Sequence, residues 1–159
     1  MGREGEGELE RALRCLPSGF FVMTAAHEGK RSGMRIRSVQ ACADEPLLIS
    51  VAARKGHAID PLIRDSRSFA VCVIAPDDKL IARSFPAERP NGTPGGTPAP
   101  EGDPFDGLEH MKLVTGAPVL TRAIAAFDCE VARRIDLEAD HELFVGQVVG
   151  WRCPPEKPA

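Results

Sequence analysis

The sequence has no apolar run approaching the roughly 20 residues that a membrane-spanning helix needs. Its charged, Gly-rich start, Met1 to Arg14, holds no apolar core of the kind a secretory signal requires, so a soluble, cytoplasmic protein without a membrane partner is expected. It also lacks a dense basic face: 20 Lys and Arg stand against 23 Asp and Glu, for a formal net charge of −3, which makes nucleic acid a poor partner. Cysteine is sparse and scattered. Cys15, Cys42, Cys72, Cys129 and Cys153 are odd in number and widely spaced, which suits neither a disulfide framework nor a structural zinc site. They read as reduced thiols, with Cys72 and Cys129 as small buried hydrophobes. No Ser-His-Asp order, paired carboxylates or metal-ligand spacing emerges from His27, His110 and the acids, so hydrolysis and metal catalysis are unsupported and no metal site is expected.

What remains is ordinary globular composition over 159 residues, enough for one domain with a real core. Leu9, Ala12, Leu13 and Leu16 recur at helical spacing after a flexible start over residues 1–8, and the helix they predict is expected to pack across an open end of the core. Strands follow: Phe20 to Ala26, a turn over His27 to Lys30, a long segment from Arg31 to Ala43, and the apolar run Leu47 to Ala53. Asp60-Pro61 predicts the cap and first position of a short helix, Phe69 to Ile74 a buried strand, and Pro76-Asp77-Asp78 the cap of a second short helix over Lys79 to Ser84.

Residues 86–104 are rich in Pro and Gly and predict a long irregular loop, and 152–159 a tail. The Gly-rich stretch is a surface loop and not a phosphate cradle, since no strand feeds it and no Lys-Ser or Lys-Thr pair follows. Asn91-Gly92-Thr93 matches a glycosylation acceptor in form only. Near the end, Phe127, Cys129, Val131 and Ile135 alternate with more polar residues, and Leu143, Val145, Val149 and Trp151 alternate with Glu142, Phe144, Val148 and Gly150. Two antiparallel strands joined around Glu138 to Asp140 account for this pattern. With strands dominant and helices short, the expected fold is mainly β, a closed or nearly closed barrel with small helical plugs.

Two cationic segments stand out. Ser32-Gly33-Met34-Arg35-Ile36-Arg37-Ser38-Val39-Gln40 sets two arginines and a serine at strand spacing beside a glycine that lets another group approach the backbone, or else forms a strand with a solvated arginine face. Arg54-Lys55-Gly56-His57 closes a buried strand and opens a helix, where free amides and the helix dipole favour an anion such as a phosphate; the alternative is a basic surface loop. His141, after Asp140, would point to the side of Leu143 and Val145, as either a packing residue or a functional one.

In this order the segments resemble the flavin reductase-like family, whose members adopt an FMN-binding split β-barrel. The resemblance runs from Leu16-Pro17-Ser18-Gly19-Phe20-Phe21-Val22-Met23-Thr24 through Gly33-Met34, Ser38, Asp44-Glu45-Pro46, Lys55-Gly56-His57 and Ser68-Phe69-Ala70-Val71 to Leu80-Ile81-Ala82-Arg83-Ser84-Phe85. It resumes at Gly116-Ala117-Pro118-Val119-Leu120, Cys129-Glu130-Val131 and Asp140-His141-Glu142-Leu143-Phe144-Val145-Gly146-Gln147-Val148. The resemblance implies a Greek-key split barrel, a homodimer with flavin near the subunit interface, and an NAD(P)H-dependent flavin reductase that supplies reduced flavin to a separate monooxygenase. It further implies that Arg35, Arg37, Ser38, Val39 and Gln40 line the isoalloxazine and ribityl groups, that Ala43 allows close backbone approach, and that Arg54, Lys55, Gly56 and His57 hold the phosphate of FMN, with FAD as a possible substitute. Phe85 would border the ring, and His141 would lie near the nicotinamide of NADH or NADPH or near the flavin edge. Arg35 and Arg37 stand where the family usually carries threonine and a small polar residue, and Ala139 where it carries glycine. Two arginines could make the flavin a permanent cofactor, so an electron carrier reduced by a protein partner, or a non-catalytic flavin-binding barrel, are the alternatives.

Overall fold

A computed structural model describes residues 3–87 and 102–153. Its chain order is α1 (Arg3–Leu13), β1 (Phe21–His27), β2 (Lys30–Ile36), β3 (Val39–Asp44), β4 (Leu47–Arg54), α2 (Ile59–Ser66), β5 (Ser68–Val73), α3 (Lys79–Ser84), β6 (His110–Lys112), β7 (Pro118–Leu120), β8 (Ala125–Asp136) and β9 (His141–Arg152). Seven strands form one sheet in the order β2-β1-β5-β8-β9-β4-β3, with every pairing antiparallel, and β6 and β7 form a separate hairpin. The strands β2 and β4 stand five places apart in that order, which in a flat sheet would separate them by roughly 24 Å. They are nevertheless in contact. The sheet therefore rolls round on itself, leaving a seam beside β2 that is not closed by a ladder.

The roll creates two cores, and the alternation of side chains assigns residues to them. Met23, Met34, Ile36, Ile49, Val51, Phe69, Val71, Cys129 and Phe144 point inward, where Ile59 and Ile63 of α2 plug the interior. Val22, Ala70 and Cys72 point outward from the same strands and are covered by Ile81, Phe85, Phe105, Leu108, Val119 and Leu120. Both faces of β1 and β5 are thus buried, which explains why these strands read as continuous apolar runs. Thr24 joins the layers, its hydroxyl donating to the Pro118 carbonyl.

Several expectations change. The helix starts at Arg3, so residues 3–8 are helical, and it ends before Leu16. It does not pack on the core, because Leu9 and Leu13 are exposed. The segment from Arg31 to Ala43 is two strands broken at Arg37-Ser38. The second helix is capped at Ala58 and not at Asp60; the Ile59 N–H donates to His57 Nδ1 at 3.1 Å, and Pro61 sits inside the first turn. The third follows expectation, with Asp78 Oδ1 accepting from the Ile81 N–H at 3.1 Å. In β9 the buried face is Glu142, Phe144 and Gly146, while Trp151 is 71% exposed. A carboxylate tolerates that position because Arg134 binds it in a two-pronged ion pair. Residues 88–101, with Asn91-Gly92-Thr93, and 154–159 lie outside the described residues, and so do most of the loop and tail expected there.

Candidate functional site

Where the rolled sheet brings β2 to β4, a cleft of about 420 Å³ opens, lined by Met34, Arg35, Ile36, Arg37, Ser38, Ala52, Arg54, Ala87 and His141. Its size falls within the range of small-molecule sites. The sheet's alternation sorts its walls. Val51 and Ala53 of β4 turn into the core, so Ala52 and Arg54 turn outward, and Arg54 pairs in register with His141 across the β4–β9 ladder. Such opposed residues share a face with Cβ atoms about 5 Å apart. The break between β2 and β3 exposes Arg37 and Ser38 at the rim.

Each cation has a defined setting. Arg35 lays its guanidinium over the Phe20 ring, 3.9 Å from the centroid, so the charge is held by a ring at the edge of the outer core. Arg54 reaches Asp140 Oδ2 at 3.4 Å. Lys55 forms an ion pair with Asp136, and its N–H donates to the Asp140 carbonyl at 3.0 Å. Gly56 adopts a positive φ of 85°, which turns the chain from the strand toward α2. Because His57 Nδ1 accepts the Ile59 N–H, a neutral ring carries its proton on Nε2.

The carboxylates of the β8–β9 turn complete the site. His141 Nδ1 lies 2.8 Å from Asp140 Oδ1. The His141 contact, with Arg54 adding to it, holds the Asp140 carboxyl below its usual value of 3.8. The Lys55 ammonium and the Glu138 amide do the same for Asp136. Behind the turn, Arg134 bridges Asp60 of α2, at 2.8 Å, to Glu142 of β9, and thereby ties the helix after the cationic loop to the strand that bears His141.

The structure brings Arg35, Arg37, Ser38, Arg54 and His141 around one cleft; Lys55, Gly56 and His57 follow Arg54 in the chain and lie outside its lining. Val39, Gln40 and Ala43 lie beyond the lining, on the edge strand β3. Phe85 also lies outside the lining: it is buried in the outer core, its ring 5.4 Å from that of Phe105. The close approach expected at Gly33 does occur, but the approaching group is Phe85, since a Cβ on Gly33 would sit 2.6 Å from that ring. Sequence reasoning missed Met34, Ile36 and Ala52 as lining, and also Asp136, whose only signal was a carboxylate in the turn before the last strand.

Known proteins resemble this chain over most of its length. An NADPH-flavin oxidoreductase of Streptomyces viridifaciens is 32% identical over 146 residues, covering 91% of this chain and 71% of that protein. The NADH-dependent FMN reductase RutF of Pantoea ananatis is 26% identical, over 92% of this chain and 71% of its own length. Among solved structures, BorF, the flavin reductase component of a bacterial two-component tryptophan halogenase, superposes with a TM-score of 0.74 at 25% identity, covering 96% of this chain and 89% of BorF. The family model of the flavin reductase like domain matches residues 13–159, and the chain belongs to that family.

Proposed function

We propose that the protein is an NAD(P)H:flavin oxidoreductase that binds FMN, with FAD as a possible substitute, in the cleft between β2 and β4. The observation that carries this reading is the meeting of Arg35, Arg37, Arg54 and His141 around one cleft whose remaining walls include Met34, Ile36 and Ala52. Such a site fits a flat, largely apolar ring with an anionic tail. The names of the relatives, which include NADPH-flavin and NADH-dependent FMN reductases, support the same reaction.

On this reading Arg54 of the lining and the adjacent Lys55 and His57 take the phosphate, through charge-assisted hydrogen bonds worth about 1.5–3 kcal/mol each. Ala52, which turns outward from β4, borders the ring in the cleft. A bound flavin would accept the hydride from the reduced nicotinamide, and negative charge would then develop on its ring. On this reading Arg35 and Arg37 of the cleft lining stabilise that charge. His141, held by Asp140 at the opposite rim through its Nδ1–H, positions the nicotinamide and offers Nε2 of the neutral ring as an acceptor there.

The proposal extends to the assembly. A homodimer in a split-barrel arrangement with two sites, a flavin-consuming monooxygenase as recipient, and a cytoplasmic setting complete it. The last is supported by the exposed thiols of Cys15, Cys42 and Cys153, which suit a reducing compartment. Among the described residues no helix is long and apolar enough to cross a membrane.

The purified protein is expected to oxidise NADH or NADPH when FMN or FAD is added, followed at the nicotinamide absorbance band. His141→Ala should lower that rate by about 10- to 100-fold while flavin binding persists. Oxidation no faster than the uncatalysed background would refute the reductase. A yellow protein with tightly held FMN and sluggish nicotinamide turnover would instead identify a carrier reduced by a protein partner.

A further inference from the structure

Lys55 and Arg54, two of the cations assigned to the flavin phosphate, already have partners, one at the end of β8 and one in the turn that leads to β9. Asp136 takes the Lys55 ammonium, and Asp140 takes Arg54. Each carboxylate is also fixed by its own turn. Asp136 Oδ1 accepts the Glu138 N–H at 2.9 Å, and the second oxygen of Asp140 faces His141 Nδ1. The side chains of Asp136 and Asp140 are 67% and 62% exposed, so releasing them into water carries little penalty. Two monoanions thus occupy the place where a phosphate dianion would deliver the same charge.

Resting on the reading that this cleft takes a flavin phosphate, we propose that Asp136 and Asp140 are built-in competitors of that phosphate, so that the β8–β9 turn determines how the site ranks flavins by their phosphate charge. Riboflavin has no phosphate and leaves both ion pairs intact. FMN must exchange both carboxylates for its own oxygens. FAD carries one charge on each phosphate and is a weaker competitor than the FMN dianion. Affinity for FMN is consequently lower than the cationic loop alone would provide, which suits a flavin that is bound, reduced and released.

The turn does not depend on these charges for its position. The Lys55 N–H to Asp140 carbonyl bond is made by backbone, and the β8–β9 ladder pairs Asp136 with Glu142. Asparagine at either position keeps the shape and an acceptor oxygen while removing the charge. Exposed ion pairs of this class correspond to about a two- to fivefold effect each.

The test compares FMN and riboflavin by quenching of flavin fluorescence. Asp136→Asn and Asp140→Asn are each expected to tighten FMN about two- to fivefold and the double variant roughly tenfold. Riboflavin should change by less than about twofold, and the gain should shrink as salt screens the charges. Unchanged or weaker FMN binding in the double variant would overturn the proposal. Lys55→Ala separates the two ways of failing. If it weakens FMN and riboflavin alike, the phosphate assignment falls and the competitor role with it. If it weakens FMN selectively while the aspartate variants leave FMN unchanged, the competitor role alone falls. A variant-free readout stands beside these: saturating FMN, but not riboflavin, should speed hydrogen exchange at the Glu138 amide as Asp136 leaves it, and an unchanged rate would also overturn the proposal.

Discussion

At the scale of single residues, charge placement in this protein follows partners distant in sequence, and that is where the sequence was least legible. The two cationic segments were visible as clusters, yet nothing local indicated that Arg35 would rest on Phe20 or that Ala58, with the His57 ring accepting the Ile59 N–H, would stand at the start of α2 in place of Asp60. Cys72 and Cys129 were legible, because an apolar run implies burial. Burial raises their thiols to about 11 and about 12, which leaves both inert as nucleophiles at neutral pH. Arg31 offers the clearest test of an ion pair away from the cleft. It holds Asp103 through two nitrogens at 2.7 Å and also reaches His110 Nε2 at 2.8 Å, with His110 Nδ1–H donating to the Leu108 carbonyl. The Arg31 hydrogen bond keeps the Asp103 carboxyl below its usual 3.8, despite partial burial. The folded protein therefore protonates Asp103 at lower pH than the unfolded chain does, so the pair's contribution is complete above about pH 4 and fades as pH falls through the lowered value. Asp103→Asn should be less stable than the parent at pH 7, and the gap should narrow below pH 4 in urea titrations. A gap that stays constant with pH would show that the loss is packing and not charge.

At the scale of elements, legibility tracked length and regularity. The third helix was readable to the residue because Asp78 supplies a cap by local chemistry. The three-residue strands β6 and β7 were not, since a hairpin so short carries no period of its own. In β8 the alternation was readable but its consequences were not, because bulges after Asp128 and between Val131 and Arg133 change which side faces inward. The first bulge lets both Asp128 and Cys129 be buried. Asp128 uses that position to accept the Val114 and Thr115 amides at 2.8 Å each, along with the Thr115 hydroxyl, and so fastens the loop between β6 and β7. The inward face of β9 depends on Gly146, where an added Cβ would lie 2.6 Å from the Phe69 ring and 2.7 Å from the Cys129 Cβ. One of those neighbours is close to the backbone and cannot swing away. Gly146→Ala should therefore cost about 1–3 kcal/mol in denaturant unfolding, the range for an overpacked core. Loss of less than about 0.5 kcal/mol would mean that β8 and β9 slide apart more easily than their shared ladder implies.

At the scale of the whole molecule, the mainly β architecture was legible from strand spacing, while the cleft was not, because it exists only where β2 and β4 meet across the seam. The described protomer also leaves apolar surface that its own core does not use. Leu9, Leu13 and Leu16 are each at least half exposed, and Trp151 is the most exposed large apolar side chain of the described residues. Leu9 and Leu13 stand one helical turn apart, so α1 presents a stripe and not scattered single residues. An exposed apolar stripe of this kind marks an interaction surface. Its natural occupant, on the homodimer proposed above, is a second copy of the chain, which would cover α1 and bring two clefts into one assembly. Sedimentation should then give twice the 17.1 kDa of a single chain. Leu9→Asp combined with Leu13→Asp should shift the protein toward the single-chain mass, without loss of β structure by circular dichroism, since neither leucine belongs to either core. A parent protein that sediments as a single chain at micromolar concentration would defeat the dimer. A double variant that stays dimeric would move the interface off α1 and toward other exposed apolar side chains, such as Trp151 of β9.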